Sequence, residues 1–376
     1  MRVLIVHNIL WSHYKAALFS ALASGAAPED DLLVLQLAGS EQKYSQLGKA
    51  GAIVHRYAYK LLTEGPLDTV SIPEKIRFIL AEIRRFKPDV VNLTGYYDPA
   101  YWPVILWCRL RGIRLVLSNE SGENDGHRGG IKEWFKRALV RAFDGYICFG
   151  TSSVRYLLRL GAREDRMLSR HAAVIDENVI RAAWEKAESS REQERTRLGL
   201  PEGVIAFVGR LAPEKNLPRL IQSFRRVAPD GWKLLIAGDG PLRDLVENQP
   251  DICWLGGKPW NEVPDALALA DALILPSSFE PWGLVVNEAM TCGLPVLVSE
   301  KCGCVDDLVR DGENGYLFDP ESDASLENAL KTFMSVPASG REQMGVRSLQ
   351  LISPFSTEKV ARELWKGFRA LTTRVR

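Results

Sequence analysis

The chain has 376 residues, 46% of them apolar and 25% charged, with a net charge of +1. That length exceeds one ordinary compact core and suits two domains of about 150–200 residues each. The near-neutral balance argues against a nucleic-acid binder that depends on a strongly basic surface. Six cysteines without Cys-x2-Cys spacing argue against a zinc site or a disulfide framework, and favour reduced thiols in the cytosol.

Met1–His7 holds an apolar run of four residues, too short for a signal peptide, and reads as a buried first strand. No stretch approaches the roughly 18–20 apolar residues of a membrane span. A cytoplasmic protein is the expectation, with the inner face of the membrane as its only membrane contact. Strands are expected at Arg2–His7, Asp31–Leu37, Ala52–Tyr57, Asp89–Leu93, Arg114–Ser118 and Gly145–Phe149. Helices fall between them at Tyr14–Leu22, Pro73–Arg85 and Ile131–Phe143, and Pro88 stops the helix before it. Residues 185–195 are polar on every face and read as a solvated connector. The alternation restarts with strands at Val204–Val208, Lys233–Ala237, Ile252–Leu255, Ala272–Pro276 and Pro295–Ser299. Helices are expected at Pro218–Val227, Leu242–Asn248, Trp260–Leu269 and Leu284–Thr291, and a last apolar stripe runs over Thr357–Leu371. The pattern predicts an α/β protein of two Rossmann-like, doubly wound domains facing across a cleft, residues 1–180 and 181–355.

Three loops in the second half have residue types suited to one ligand. Gly209 ends a strand, and Arg210 and Lys215 follow in the loop entering a helix with Pro218 in its first turn. Two cations beside helix amides suit an anion, and could stabilise a departing diphosphate; a surface Arg and Lys near a turn is the plain alternative. Gly238, Gly240 and Pro241 form a Gly-Asp-Gly-Pro loop, either a close backbone approach to a base or ribose or a tight strand-to-helix turn. Glu280 and Glu288 lie in Glu-Pro-Trp-Gly-Leu-Val-Val-Asn-Glu, with Gly283 and Leu284 opening a helix. One glutamate near a helix N-terminus is explained by the dipole; the pair is not.

Gly-Arg-Leu-x-x-Glu-Lys, Gly-Asp-Gly-Pro, Glu-Pro-Trp-Gly-x4-Glu-Ala-Met-x2-Gly-x-Pro-Val and Asp311-Gly-Glu-Asn-Gly315 follow in this order. Together they resemble the retaining glycosyltransferases of family 4, which have the GT-B fold. The resemblance implies that Arg210 and Lys215 bind a donor diphosphate, Glu288 the ribose and Glu280 the donor sugar. It also implies that a C-terminal helix, residues 356–376, crosses back onto the first domain. A nucleotide-sugar donor and a glycan, lipid-linked or small-molecule acceptor are the partners implied, with no nucleic acid, no cofactor and no metal.

The first half departs from that pattern. The loop after the first strand reads Asn8-Ile-Leu-Trp-Ser-His13 where relatives often carry Gly-Gly. Where many members place a histidine, Leu117-Ser-Asn-Glu-Ser-Gly-Glu123 stands. Glu120 is the first candidate near the reacting carbon, and Asn119, Glu123, Asp125, His127 and Arg128 follow. Front-face attack needs no protein nucleophile; double displacement would need a carboxylate, and Glu120 is the one to test. Tyr96, Tyr97, Tyr101, Trp102, Trp11 and Tyr14 could stack on an acceptor sugar, although core packing explains them more simply. The basic amphipathic helix at 132–143 could make a weak peripheral contact with an anionic membrane, or simply be solvated. Two other functions fit the same loops: a nucleotide-sugar epimerase of the same fold, and a nucleotide-sugar-binding protein without turnover.

Overall fold

The computed structural model describes residues 1–40, 53–122 and 131–373, with backbone alone for 131–133. Among these residues, those up to Ile175 together with Phe355 onward form one compact unit, and Asp176–Pro354 form another.

The earlier unit holds seven parallel strands: β1 (Arg2–Ile9), β2 (Asp31–Ala38), β3 (Tyr59–Leu61), β4 (Val90–Thr94), β5 (Arg114–Asn119), β6 (Gly145–Cys148) and β7 (Met167–Ser169). Their order is β3-β2-β1-β4-β5-β6-β7, so the winding reverses between β1 and β4. Strands covered on both faces read as continuous apolar runs, which is why Val-Leu-Ile-Val in β1 is legible without alternation. Helices α1 (His13–Ser24), α2 (Ile72–Phe86), α3 (Tyr101–Leu110), α4 (Ile131–Arg141) and α5 (Thr151–Arg159) connect them. Ser71 and Glu74 form a capping box on α2, and Lys87 ends it in the left-handed conformation directly before Pro88.

The later unit opens with α6 (Glu177–Glu188) and α7 (Arg191–Arg197). Its strands are β8 (Gly203–Val208), β9 (Trp232–Ala237), β10 (Ile252–Trp254), β11 (Ala272–Leu275), β12 (Val296–Ser299) and β13 (Gly315–Phe318). All pair in parallel in the order β10-β9-β8-β11-β12-β13, so here the reversal lies between β8 and β11. Helices α8 (Leu217–Val227), α9 (Val263–Leu267), α10 (Leu284–Thr291), α11 (Val305–Leu308), α12 (Asp323–Ser335) and α13 (Ala338–Ile352) complete it. The closing helix, α14 (Thr357–Thr373), packs on α1 and β7 of the earlier unit. Val360, Leu364 and Phe368 are buried there, and the Trp365 indole donates to the Leu22 carbonyl at 2.9 Å.

Three expected elements differ. The third strand is Tyr59–Leu61 rather than Ala52–Tyr57: Tyr59 takes the register against Val34, while Val54 is exposed. The expected helix at Leu242–Asn248 is a short 3-10 turn, Arg243–Leu245, built mainly from bonds spanning three residues and stopped by a left-handed Asn248. The expected connector at 185–195 lies in α6 and α7. Arg195 of α7 is buried, donates to the carbonyls of Leu269, Pro201 and Glu202, and lies 3.7 Å from the Asp271 carboxylate.

Candidate functional site

In an open parallel sheet the loops at the carboxyl ends of the strands diverge where the winding reverses, leaving a crevice for ligands. In the later unit that point lies between β8 and β11, and both loops there carry charged candidates. After β8 the chain passes Gly209 and Arg210, makes a 3-10 turn at Pro213–Lys215, and enters α8 through a left-handed Asn216. After β11 it passes Ser277, Ser278 and Glu280, and enters α10 through Gly283. The Ser278 amide donates to the Glu214 carbonyl at 2.9 Å, tying the two loops together.

The Lys215 ammonium pairs with the Glu280 carboxylate across this reversal point, both side chains largely buried. Ser277, fully buried, donates its hydroxyl to the same carboxylate at 3.4 Å. The amide of Gly303 holds the Glu280 carbonyl at 2.9 Å, fixing the backbone from the far side. Arg210 pairs with Glu214 one helical turn along its own loop. Gly283 takes φ 97°, and a Cβ there would stand 2.8 Å from Leu275 and 3.4 Å from the Glu280 side chain. Glycine is therefore required by backbone conformation, and a side chain there would also press on Leu275.

Glu288, inside α10, is only 6% exposed. No described residue gives its carboxyl a hydrogen bond or an ion pair, and burial pushes that carboxyl up to about 8. Buried carboxyls are ordinarily paired, so a carboxyl left without a partner in the protein suits hydroxyl donors supplied by a ligand. Beside it, the Trp282 indole donates to Asn287 at 2.8 Å, both side chains buried, which fixes the first turn of α10.

The Gly-Asp-Gly-Pro loop follows β9 and packs on the loop after β8. A Cβ on Gly238 would lie 1.9 Å from the Gly209 carbonyl oxygen, and one on Gly240 2.6 Å from that of Leu211. The Leu211 amide donates to Asp239, and the Leu242 amide returns the bond to Leu211, each at 2.9 Å. Both glycines are thus accounted for by contact between two protein loops, with Pro241 exposed beside them.

The structure brings Arg210, Lys215, Glu280 and Gly283 to one reversal point, with Leu284 and Glu288 on the helix that leaves it. Glu120 lies in the earlier unit. It pairs with the buried Lys15 at 2.6 Å, and Tyr14 donates to it at 3.4 Å. Asn119 is buried and donates to the Ser121 carbonyl at 2.7 Å and to Ser153 at 2.8 Å. Glu123, Asp125, His127 and Arg128 lie outside the described residues. Tyr96 and Tyr101 are core residues, whereas Tyr97 and Trp102 are exposed. Glu214, Ser277 and Ser278 hold the site together, yet as a lone acid and two hydroxyls in a loop they carry no pattern that marks them in advance.

Among the described residues no three His, Cys, Asp or Glu side chains cluster in a way that could hold a metal ion. Cys302 and Cys304 are free, buried thiols pushed upward by desolvation.

Comparison with known proteins identifies the chemistry. Residues 189–348 match the family model of the glycosyl transferases group 1. The chain is a glycosyltransferase. It is 28% identical over 302 residues to a glycogen synthase of Mycobacterium tuberculosis, covering 74% of this chain and 68% of that one. It is 26% identical over 263 residues to the alpha-maltose-1-phosphate synthase of Mycolicibacterium smegmatis, covering 64% and 67%. The glycosyltransferase also shares the fold of Anabaena Alr3699/HepE, solved in complex with UDP and glucose. That match has a TM-score of 0.71 and 17% identity over 98% of this chain and 100% of the other. The two parallel sheets are those of the GT-B class.

Proposed function

We propose that this glycosyltransferase moves a sugar from a nucleotide diphosphate donor to a glycan, lipid-linked or small-molecule acceptor, with retention and without a metal. The observation that carries the reading is the Lys215–Glu280 pair at the reversal point, followed on α10 by the unpartnered Glu288. A sugar carries its phosphate on the anomeric carbon, so a group for sugar hydroxyls and a cation for phosphate must be neighbours. Glu280 and Lys215 are neighbours in this sense. Glu288 then takes the ribose hydroxyls. The UDP bound by Anabaena Alr3699/HepE supports the same donor class here.

The bond from the anomeric carbon to the phosphate oxygen breaks, and negative charge grows on the diphosphate. Arg210 and Lys215 face that charge, and fixed cations of this kind are commonly worth about 3–4 kcal/mol each in the transition state. The acceptor hydroxyl attacks from the face the diphosphate leaves, and its proton passes to the departing phosphate oxygen. Glu120 is not needed as a nucleophile on this route. Free cysteines throughout the chain suit a reducing compartment, which favours the cytoplasm.

The test is to offer a panel of nucleotide diphosphate-sugars and acceptors and read the anomeric configuration of the product by NMR, with and without EDTA. Retained configuration and full rate in EDTA are expected. An inverted product, or a rate lost in EDTA and restored by a divalent ion, overturns the corresponding part.

A further inference from the structure

Helix α3 is apolar on both faces. Tyr101, Val104, Ile105 and Cys108 pack into the core of the earlier unit, while Trp102, Leu106 and Leu110 on the opposite face are 40%, 61% and 76% exposed. A helix that is apolar all round is ordinarily covered all round. The patch continues onto α4: Phe135 meets Trp102 with ring centroids 4.7 Å apart, and the neighbouring Trp134 is 70% exposed. Single exposed apolar side chains are ordinary, but exposed tryptophans, leucines and a phenylalanine on two helices that touch through Trp102 and Phe135 mark an interaction surface.

Charge selects the occupant. Lys136, Arg137 and Arg141 follow the exposed aromatics on α4. At the other border Arg84 and Arg111 lie over the Trp107 ring, at 4.6 and 4.5 Å. The stretch 101–114 holds three arginines and no acid, within a chain whose net charge is only +1. Arg109 and Arg114 pair with Asp144, so Arg111 and the α4 cations supply the charge. A second copy of this face would set these cations against their own kind. An anionic bilayer offers what both parts need: an acyl boundary for tryptophan and leucine, and phosphates for lysine and arginine. No described helix is long and apolar enough to cross a membrane, so the contact is with the surface.

We propose that α3 and α4 dock the chain on an anionic lipid bilayer. Trp102, Leu106, Leu110 and Trp134 enter the interfacial region, and Lys136 with the bordering arginines rests on lipid phosphates. This attachment is independent of which donor the later unit takes.

The test is co-sedimentation of the full chain with vesicles of phosphatidylglycerol and, separately, of phosphatidylcholine. Binding to phosphatidylglycerol at low salt, weakened by salt and much lower on phosphatidylcholine, is expected. The double variant Leu106→Glu with Trp134→Ala should lower that binding about tenfold or more, and Lys136→Glu with Arg137→Glu should remove the preference for the anionic lipid. Leu106, Trp134 and Arg137 are exposed, while Lys136 is half-buried against Tyr97 and Tyr156; circular dichroism and the thermal midpoint check that the variants fold. Absence of binding, equal binding to both lipids, or unchanged binding by a folded double variant overturns the proposal. So does a lipid-free dimer, seen by light scattering, that Leu106→Glu dissolves, because it assigns the face to a second copy.

Discussion

The ammonium of Lys215 and the carboxylate of Glu280 neutralise each other between two loops that leave neighbouring strands, β8 and β11. A donor that claims both groups must separate them, giving phosphate to the lysine and sugar hydroxyls to the glutamate. Lys215→Ala should therefore weaken binding of a free nucleoside diphosphate and lower turnover by about 10²–10³-fold. Glu280→Gln should also lower turnover, yet bind the free nucleoside diphosphate more tightly, since Lys215 no longer answers to a carboxylate. Calorimetric titration of both variants checks this opposite pair of effects; equal weakening would show that the ion pair does not compete with the ligand.

Glu288 makes stability depend on pH with a definite sign. Its carboxyl is held at about 8 in the folded chain, against the ordinary value of 4.5. Below 4.5 both folded and unfolded chains carry the proton and the residue is neutral to stability. Between 4.5 and 8 the unfolded chain gives up the proton while the folded chain keeps it, so stability falls as pH rises, and the loss levels off above 8. Glu288→Gln should remove that loss, which is on the order of a few kcal/mol by pH 8 at about 1.4 kcal/mol per unit. Melting curves of the two proteins should converge near pH 4.5 and separate toward pH 8, with the variant the more stable. Parallel curves would show that the carboxyl is ionised in the folded chain.

Gly238 meets the Gly209 carbonyl too closely for any side chain. Gly238→Ala should cost about 2 kcal/mol or more of stability, from the clash and from its left-handed φ. Urea denaturation measures it, and a change below a few tenths of a kcal/mol would mean that the loops after β8 and β9 stand further apart.

Much of the later unit was legible before the structure. The apolar runs of β8, β9, β11 and β12 stand where expected, because strands buried on both faces leave continuous apolar stretches. Arg210, Lys215, Glu280 and Glu288 were marked by residue type and spacing. That Lys215 touches Glu280 was not legible, since it depends on β8 lying beside β11, a pairing between distant parts of the chain. The same limit explains α7, whose polar sequence reads as solvated. Arg195 is buried there because the Leu269 and Pro201 carbonyls and Asp271 come to meet it from elsewhere. On α3, apolar residues recur on both faces, so periodicity could not say which face meets water.

Glu120 answers to Lys15, whose side chain is buried and has its carboxylate 2.6 Å away. Glu120→Gln should cost about 3 kcal/mol of stability by leaving a buried ammonium without its counter-charge. Turnover measured well below the melting transition should stay within about tenfold of the parent, since front-face attack asks nothing of this carboxylate. Complete loss of turnover in a folded Glu120→Gln protein would instead support double displacement.

The most direct measurement is calorimetric titration of nucleoside diphosphates into the parent chain and into Glu288→Ala. One ribonucleoside diphosphate should bind the parent, its 2′-deoxy analogue should bind about tenfold or more weakly, and Glu288→Ala should abolish the difference between the two. Parent and variant binding both nucleotides with the same affinities would contradict a ribose site at Glu288, and with it the donor site on the later unit.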